Sequence, residues 1–237
     1  MEQLFFAPDI YAEPILPEDE SGHCVRVLRL KEGDRITITD GKGSLYYAIL
    51  ENSHPKRCRV DIIERLPQTP FWEYTIHIAI SPTKNIDRME WFIEKATEIG
   101  INTITFLRCN RSERREIKLQ RLNKIAVSAM KQSQKTFLPQ LVEMTDFDKF
   151  ISQKLDGLKM IAHCDEGKKQ QINNIYRPDS NALFLIGPEG DFSDDEINAA
   201  ISAGFAPVTL GKSRLRTETA ALVACHTIHV INEQLNK

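Results

Sequence analysis

The sequence predicts an α/β protein: a largely parallel sheet with helices on both faces, preceded by a small all-β region. Three observations carry this. Beyond residue 73, short apolar runs recur that hardly alternate, as suits strands buried on both faces. Stretches with helical spacing separate them. Up to about residue 66 the pattern is shorter, alternating and broken by turn residues.

Taken in order, "DRITITDGKGSLYYAIL" reads as strand, turn at Asp40-Gly41-Lys42-Gly43, and strand, a hairpin signal. "KRCRVDIIERL" is a third strand with Val60, Ile62 and Leu66 inward. "LPQTPFW" (66–72) carries two prolines that break both periods, so a linker is placed there, dividing the chain into 1–68 and 73–237. Strands are then expected in "YTIHIAI" (74–80), "TITFL" (103–107), "LKMIAH" (158–163), "ALFLIG" (182–187) and "PVTL" (207–210). Ile86, Met89, Ile93, Ala96 and Ile99 fall at helical spacing, as do Leu122, Ile125, Ala126 and Ala129. Ser193 with Glu196 is a capping-box sequence opening a helix that Gly204 closes, and Thr217 is the expected cap of the last helix.

The bulk numbers narrow the function classes. At 237 residues and 41% hydrophobic content the chain has ample material for a core, and a net charge of -2 rules out a generic polyanion binder. Any nucleic-acid surface must come from local clustering. The five cysteines are scattered, with no metal-ligand spacing, which suggests reduced thiols in a cytosol and no metal. The start "MEQLFFAPDI" is not that of a signal peptide, and no apolar run has the length of a membrane span. A soluble, cytoplasmic protein is expected.

"LGKSRLRTETAAL" (210–222) opens with the letters that end a phosphate-binding loop, G-K-S. That reading fails, because Ala206 stands where its first glycine belongs and "PVTL" is a strand pattern. No G-x-G-x-x-G occurs, so a dinucleotide fingerprint fails too. What remains are two polar turns between strand and helix, "FLIGPEGDFSDDEI" and "LGKSRLRTETAAL". Ligands of open α/β sheets bind beyond the carboxyl ends of strands, so two such turns can build one site. Well-made helix caps would look the same. Glu218 suits a first helical turn, Arg216 could pair with Glu189 or Asp191, and His163 could be a satisfied edge histidine.

Basic residues cluster twice. One cluster runs from Arg108 to Lys124 and includes Arg111, Arg114 and Arg115; the other comprises Arg26, Arg29, Lys31 and Arg35, then Lys56, Arg57 and Arg59. A solvated helix face is the plain explanation. Two clusters on a slightly negative chain point instead to a directed surface that meets phosphates.

At these residues the sequence resembles the RsmE-type RNA methyltransferases of the SPOUT class. The resemblance rests on "LFLIGPEGDFSDDEI" followed by "LGKSRLRTETAAL" and extends over most of the chain, through "HCVRVLRLKEGDRITITDGKG", "SPTKNIDRMEWFIEKATEIGINTITFL" and "RCNRSERREIKLQRLNKIAVSAMKQSQKTFLPQL". It implies a PUA-like β-barrel before a trefoil-knotted SPOUT α/β domain, and a homodimer. It also implies S-adenosyl-L-methionine as cofactor and methylation of N3 of one uridine, 1498, of 16S ribosomal RNA in the small subunit. Three positions depart from the common pattern: Asp191 replaces a second glycine, Ser213 an arginine, and Lys135 an arginine.

The resemblance makes the two turns the cofactor site. His163, Ile186, Gly187, Pro188, Glu189, Gly190, Leu210, Gly211, Leu215, Arg216 and Thr217 would bind it, with Ile186, Leu210 and Leu215 as apolar walls. Uracil N3 carries a proton that must leave. Glu218 is the first candidate base and Arg216 the stabiliser of the developing anion; Arg216 orienting phosphate, with water taking the proton, is the alternative. Arg26, Arg29, Lys31, Lys56, Arg57, Arg59, Arg111, Arg114 and Arg115 would meet the RNA. A non-catalytic rRNA-binding assembly factor, or a methyltransferase for another RNA site, are the rival functions.

Overall fold

The computed structural model describes residues 3–235; the outermost residues of the expected domains, 1–2 and 236–237, lie outside them. The chain forms two compact units, one of residues 1–71 with 127–138 and the other of 72–126 with 139–237.

In the first unit β1 (Leu4–Phe6) is followed by α1 (Glu18–Gly22), which runs into a π-helical turn, His23–Val27. β2 (Arg35–Thr39), β3 (Ser44–Leu50) and β4 (Val60–Pro67) complete a sheet of order β1-β2-β3-β4. The expected hairpin is present, and Asp40 shapes its turn: its carboxylate accepts the N–H groups of Lys42 and Ser44 and the Tyr46 hydroxyl. Val60 is buried and Ile62 partly so, but a bulge opposite Tyr47 and Ala48 breaks the alternation and leaves Ile63 exposed. Phe5, Ile10, Leu16, Cys24, Ile38, Tyr46 and Leu50 form the core.

The return of Val127–Leu138 to this unit has no counterpart in a division into consecutive stretches. It is held by specific bonds. Gly43 N–H donates to Thr136 C=O, Leu138 N–H to Gly41 C=O, and Lys131 pairs with buried Glu20 at 2.6 Å. Gly43 has φ +97, and a Cβ there would collide with the Phe137 ring.

The second unit is a seven-stranded, wholly parallel sheet. Along the chain run β5 (Ile76–Ile80), α2 (Ile86–Ile99), β6 (Thr103–Arg108), α3 (Leu119–Gln132), β7 (Gln140–Asp146) and α4 (Phe147–Ile151). Then come β8 (Leu158–Ala162), β9 (Gln170–Gln171), α5 (Ile172–Ile175), β10 (Ala182–Ile186), α6 (Asp194–Ser202), β11 (Ala206–Thr209) and α7 (Thr217–Leu235). The spatial order is β7-β6-β5-β10-β8-β11-β9. β10, at the centre, is buried throughout. On one face Ala79, Ile161, Leu183 and Leu185 pack with Phe147 and Phe150 of α4 and Ile197 and Ala200 of α6. α7 crosses β5 and β10 beside α2 on the opposite side of the alternation.

Asn85 caps α2 by accepting the Asp87 N–H, and the Ser193–Glu196 capping box is complete. Thr217 is not a cap. Ala220 N–H already donates to the Arg216 carbonyl at 2.7 Å, so Thr217 is the first helical residue and Arg216 holds the capping position. β1, β7 and β9 were not expected. β7 buries only Leu141 fully, and its polar sequence, "QLVEMTD", lacks the apolar run that marks its neighbours.

Candidate functional site

β10, β8 and β11 are adjacent and parallel, so the segments leaving their carboxyl ends converge. They enclose a pocket of about 840 Å³. His163, Ile186, Gly187, Pro188, Glu189, Gly190, Leu210, Gly211, Leu215, Arg216 and Thr217 all line it, and so do Cys164, Lys169, Asp191, Lys212, Ser213 and Arg214, which the sequence reading missed. Asp191, Lys212, Ser213 and Arg214 are neighbours in the same two turns, whereas Cys164 and Lys169 follow β8; polarity beside a strand end was the available signal.

The β10–α6 turn is held from several directions. Asp191 N–H donates to Pro188 C=O at 2.9 Å, which closes the turn. Glu189 Oε1 accepts the Lys84 N–H at 2.9 Å. Arg111 donates to the carbonyls of Gly190 and Phe192 at 3.0 and 3.1 Å. Gly187 lies so close to the Phe192 ring that a Cβ would stand 3.1 Å from it. In the β11–α7 turn, Thr209 Oγ1 accepts the Gly211 N–H and donates to the Gly211 carbonyl.

His163 follows β8, and Lys169 donates to its carbonyl at 2.7 Å. Both ring nitrogens are buried without a hydrogen-bond partner. Burial, and then the Lys169 ammonium, push its pKa below the usual histidine range against the opposing pull of Asp191 and Asp165. A neutral imidazole with two unsatisfied nitrogens is what a polar ligand would complete. Lys212, Arg214 and Arg216 give the same pocket an exposed cationic rim.

Glu218 is not brought into this pocket. It is buried, its Oε1 lies 3.9 Å from Arg88 Nε on α2, and its Oε2 has no hydrogen-bond partner. Among the described residues neither Glu189 nor Asp191, the alternative partners of Arg216, pairs with it; their carboxylates accept backbone N–H groups.

The basic residues divide. Arg26, Arg29, Lys31, Lys56, Arg57 and Arg59 are exposed on the first unit, Lys56 near Glu18 and Arg59 near Glu51. In the second unit Arg115 is exposed, whereas Arg114 donates to the Thr83 and Lys84 carbonyls. Arg111 thus braces the β10–α6 turn of the pocket and Arg114 the 83–84 loop, whose Lys84 N–H meets Glu189.

Two family models match the chain, an RNA methyltransferase domain over residues 71–229 and an RNA methyltransferase PUA domain over 16–63. A Ribosomal RNA small subunit methyltransferase E of Synechocystis is 30% identical over 98% of this chain and 78% of its own. A crystal structure of a "probable rRNA-methyltransferase" from Porphyromonas gingivalis superimposes with a TM-score of 0.93 at 44% identity, covering 98% of this chain and 99% of that one. A Ribosomal RNA small subunit methyltransferase E from Neisseria gonorrhoeae, bound to S-adenosyl methionine, gives 0.83 at 28% identity over 98% of each chain.

Proposed function

The chain belongs to the RNA methyltransferase family of Ribosomal RNA small subunit methyltransferase E, and from that membership we propose that it methylates N3 of uridine 1498 in 16S rRNA. Its cofactor is S-adenosyl-L-methionine. The observation that carries the reading is the convergence of three strand ends on one pocket, where His163 has both ring nitrogens unsatisfied.

When bound, the cofactor supplies an electrophilic methyl group on a sulfonium. The chain's own task is alignment. Backbone groups of 187–190 and 210–217 hold the adenine and amino acid ends, with Ile186, Leu210 and Leu215 as apolar walls. Arg216, exposed in the pocket, stabilises negative charge on the uracil oxygens as N3 loses its proton. Water takes that proton. Glu218, turned toward Arg88, anchors the first turn of α7 rather than acting as base.

The exposed Arg26, Arg29, Lys31, Lys56, Arg57 and Arg59 meet RNA phosphates, joined by Arg115. The active species is a homodimer in the cytoplasm. Support for it comes from Trp91, 42% exposed on α2, and the half-buried Leu222 and Val223 on α7, apolar surface that a second copy would cover. We also propose the trefoil knot. Supporting it, β10 enters between β5 and β8, and α7, after β11, lies on β5 and β10. No helix among the described residues is long and apolar enough to cross a membrane.

The test is methyl transfer from labelled S-adenosylmethionine to unmodified small ribosomal subunits, followed by mass spectrometry of the nucleosides. A single 3-methyluridine is expected. No transfer with cofactor binding intact would point to another RNA, and loss of both would support a binding factor.

A further inference from the structure

We infer that Asp191 is a positioning residue that ties the end of β8 to the β10–α6 turn and so fixes the spacing of two walls of the pocket. The inference rests on reading that pocket as the S-adenosylmethionine site.

Asp191 has φ +61, the left-handed region where glycine carries no penalty. Here a carboxylate is present instead, and both its oxygens are engaged. Oδ2 accepts the Cys164 N–H at 2.6 Å and Oδ1 the Phe192 N–H at 2.8 Å. Both oxygens thus hold a backbone donor, one on each side of the pocket, which is the work of a tether. Its reach is across the pocket mouth. Cys164 directly follows His163, which lines the pocket, so whatever fixes the Cys164 amide fixes the backbone that carries that imidazole.

The aim of the carboxylate is itself fixed. Asp191 N–H is held by the Pro188 carbonyl, and Arg111 holds the carbonyls of Gly190 and Phe192 on either side of it. Removing the carboxylate therefore frees the β8 wall while the turn stays in place. Asp191→Gly relieves the backbone and loses both bonds. Asp191→Asn keeps the shape but presents an amide donor to one of two N–H groups.

The experiment measures S-adenosylmethionine binding by calorimetry and Cys164 amide exchange by NMR on the full chain and both variants. Loss of a charge-assisted pair predicts a dissociation constant about tenfold higher in each variant. Cys164 exchange accelerates in the cofactor-free protein. At saturating cofactor kcat is retained while the cofactor KM rises and the RNA KM does not, a split that general destabilisation would not produce. Wild-type affinity in both variants overturns the inference. If the wild-type chain itself fails to bind S-adenosylmethionine, the reading of the pocket falls with it. Unchanged Cys164 exchange would overturn the tether on its own.

Discussion

Glu218 and Arg88 face each other with 3.9 Å between Oε1 and Nε, and the second carboxylate oxygen is buried without a partner. The two ends of this pair are unequal: the glutamate side chain is 8% exposed and the arginine 36%. Removing the arginine strands a buried charge, whereas removing the charge of the glutamate leaves a cation that water can reach. Arg88→Gln is therefore expected to lower the unfolding free energy by about 1–3 kcal/mol in urea titrations, and Glu218→Gln by less. Glu218→Gln should also keep its turnover and pH profile. A fall in kcat of about 10²-fold or more with cofactor binding intact would restore it as the base.

Arg111 donates to two carbonyls of the cofactor turn, so its loss should read out in cofactor kinetics. Arg111→Ala is expected to raise the KM for S-adenosylmethionine roughly fivefold, the net worth of about one ordinary hydrogen bond, since Arg111 is exposed to water. The salt dependence of RNA binding should not change. A shallower salt slope in this variant would return Arg111 to the RNA surface.

Arg26 and Arg29 make the opposite prediction. Both are exposed on the first unit, and a double substitution by glutamine removes two phosphate contacts. In a plot of log K against log salt the slope should become shallower by about 1.4 for single-stranded RNA. Cofactor affinity should stay as it was. Filter binding across a salt series decides it.

His77 gives a pH dependence. It sits on β5 with Nε2 against the Thr105 hydroxyl at 2.8 Å, and burial lowers its pKa from 6.5 to about 4. The unfolded chain therefore takes up the proton first. Above 6.5 neither state is protonated and nothing is lost; stability falls as pH drops from 6.5 toward about 4. Between pH 7 and pH 5 this one group costs about 2 kcal/mol. Urea unfolding at the two pH values should show that loss in the wild type and a smaller one in His77→Gln.

Much of the second unit was legible because its strands are buried on both faces and so read as unbroken apolar runs. β10, "ALFLI", is the plainest case. β7 escaped because only one of its residues is fully buried, and β9 because two residues leave no period to read. The pocket was legible through its turns, since glycine, proline and charge crowd the strand ends there. Arg88 was not, being one charged residue on a helix with other charged residues; its meaning lies in a contact made 130 residues away. The carbonyl contacts of Arg111 were hidden for a related reason, because charge in a sequence does not say which carbonyls it meets.

The crossing of α3 from one unit to the other bears on how the protein is made. A ribosome releases residues 1–71 long before it reaches 127–138, yet Gly43, Gly41 and Glu20 wait for Thr136, Leu138 and Lys131. The part synthesised first cannot be the part finished first. A fragment ending at the linker would lack these partners and leave Glu20 a buried acid with no cation, so the amino-terminal piece cannot be excised as a free-standing module without grafting the later segment onto it.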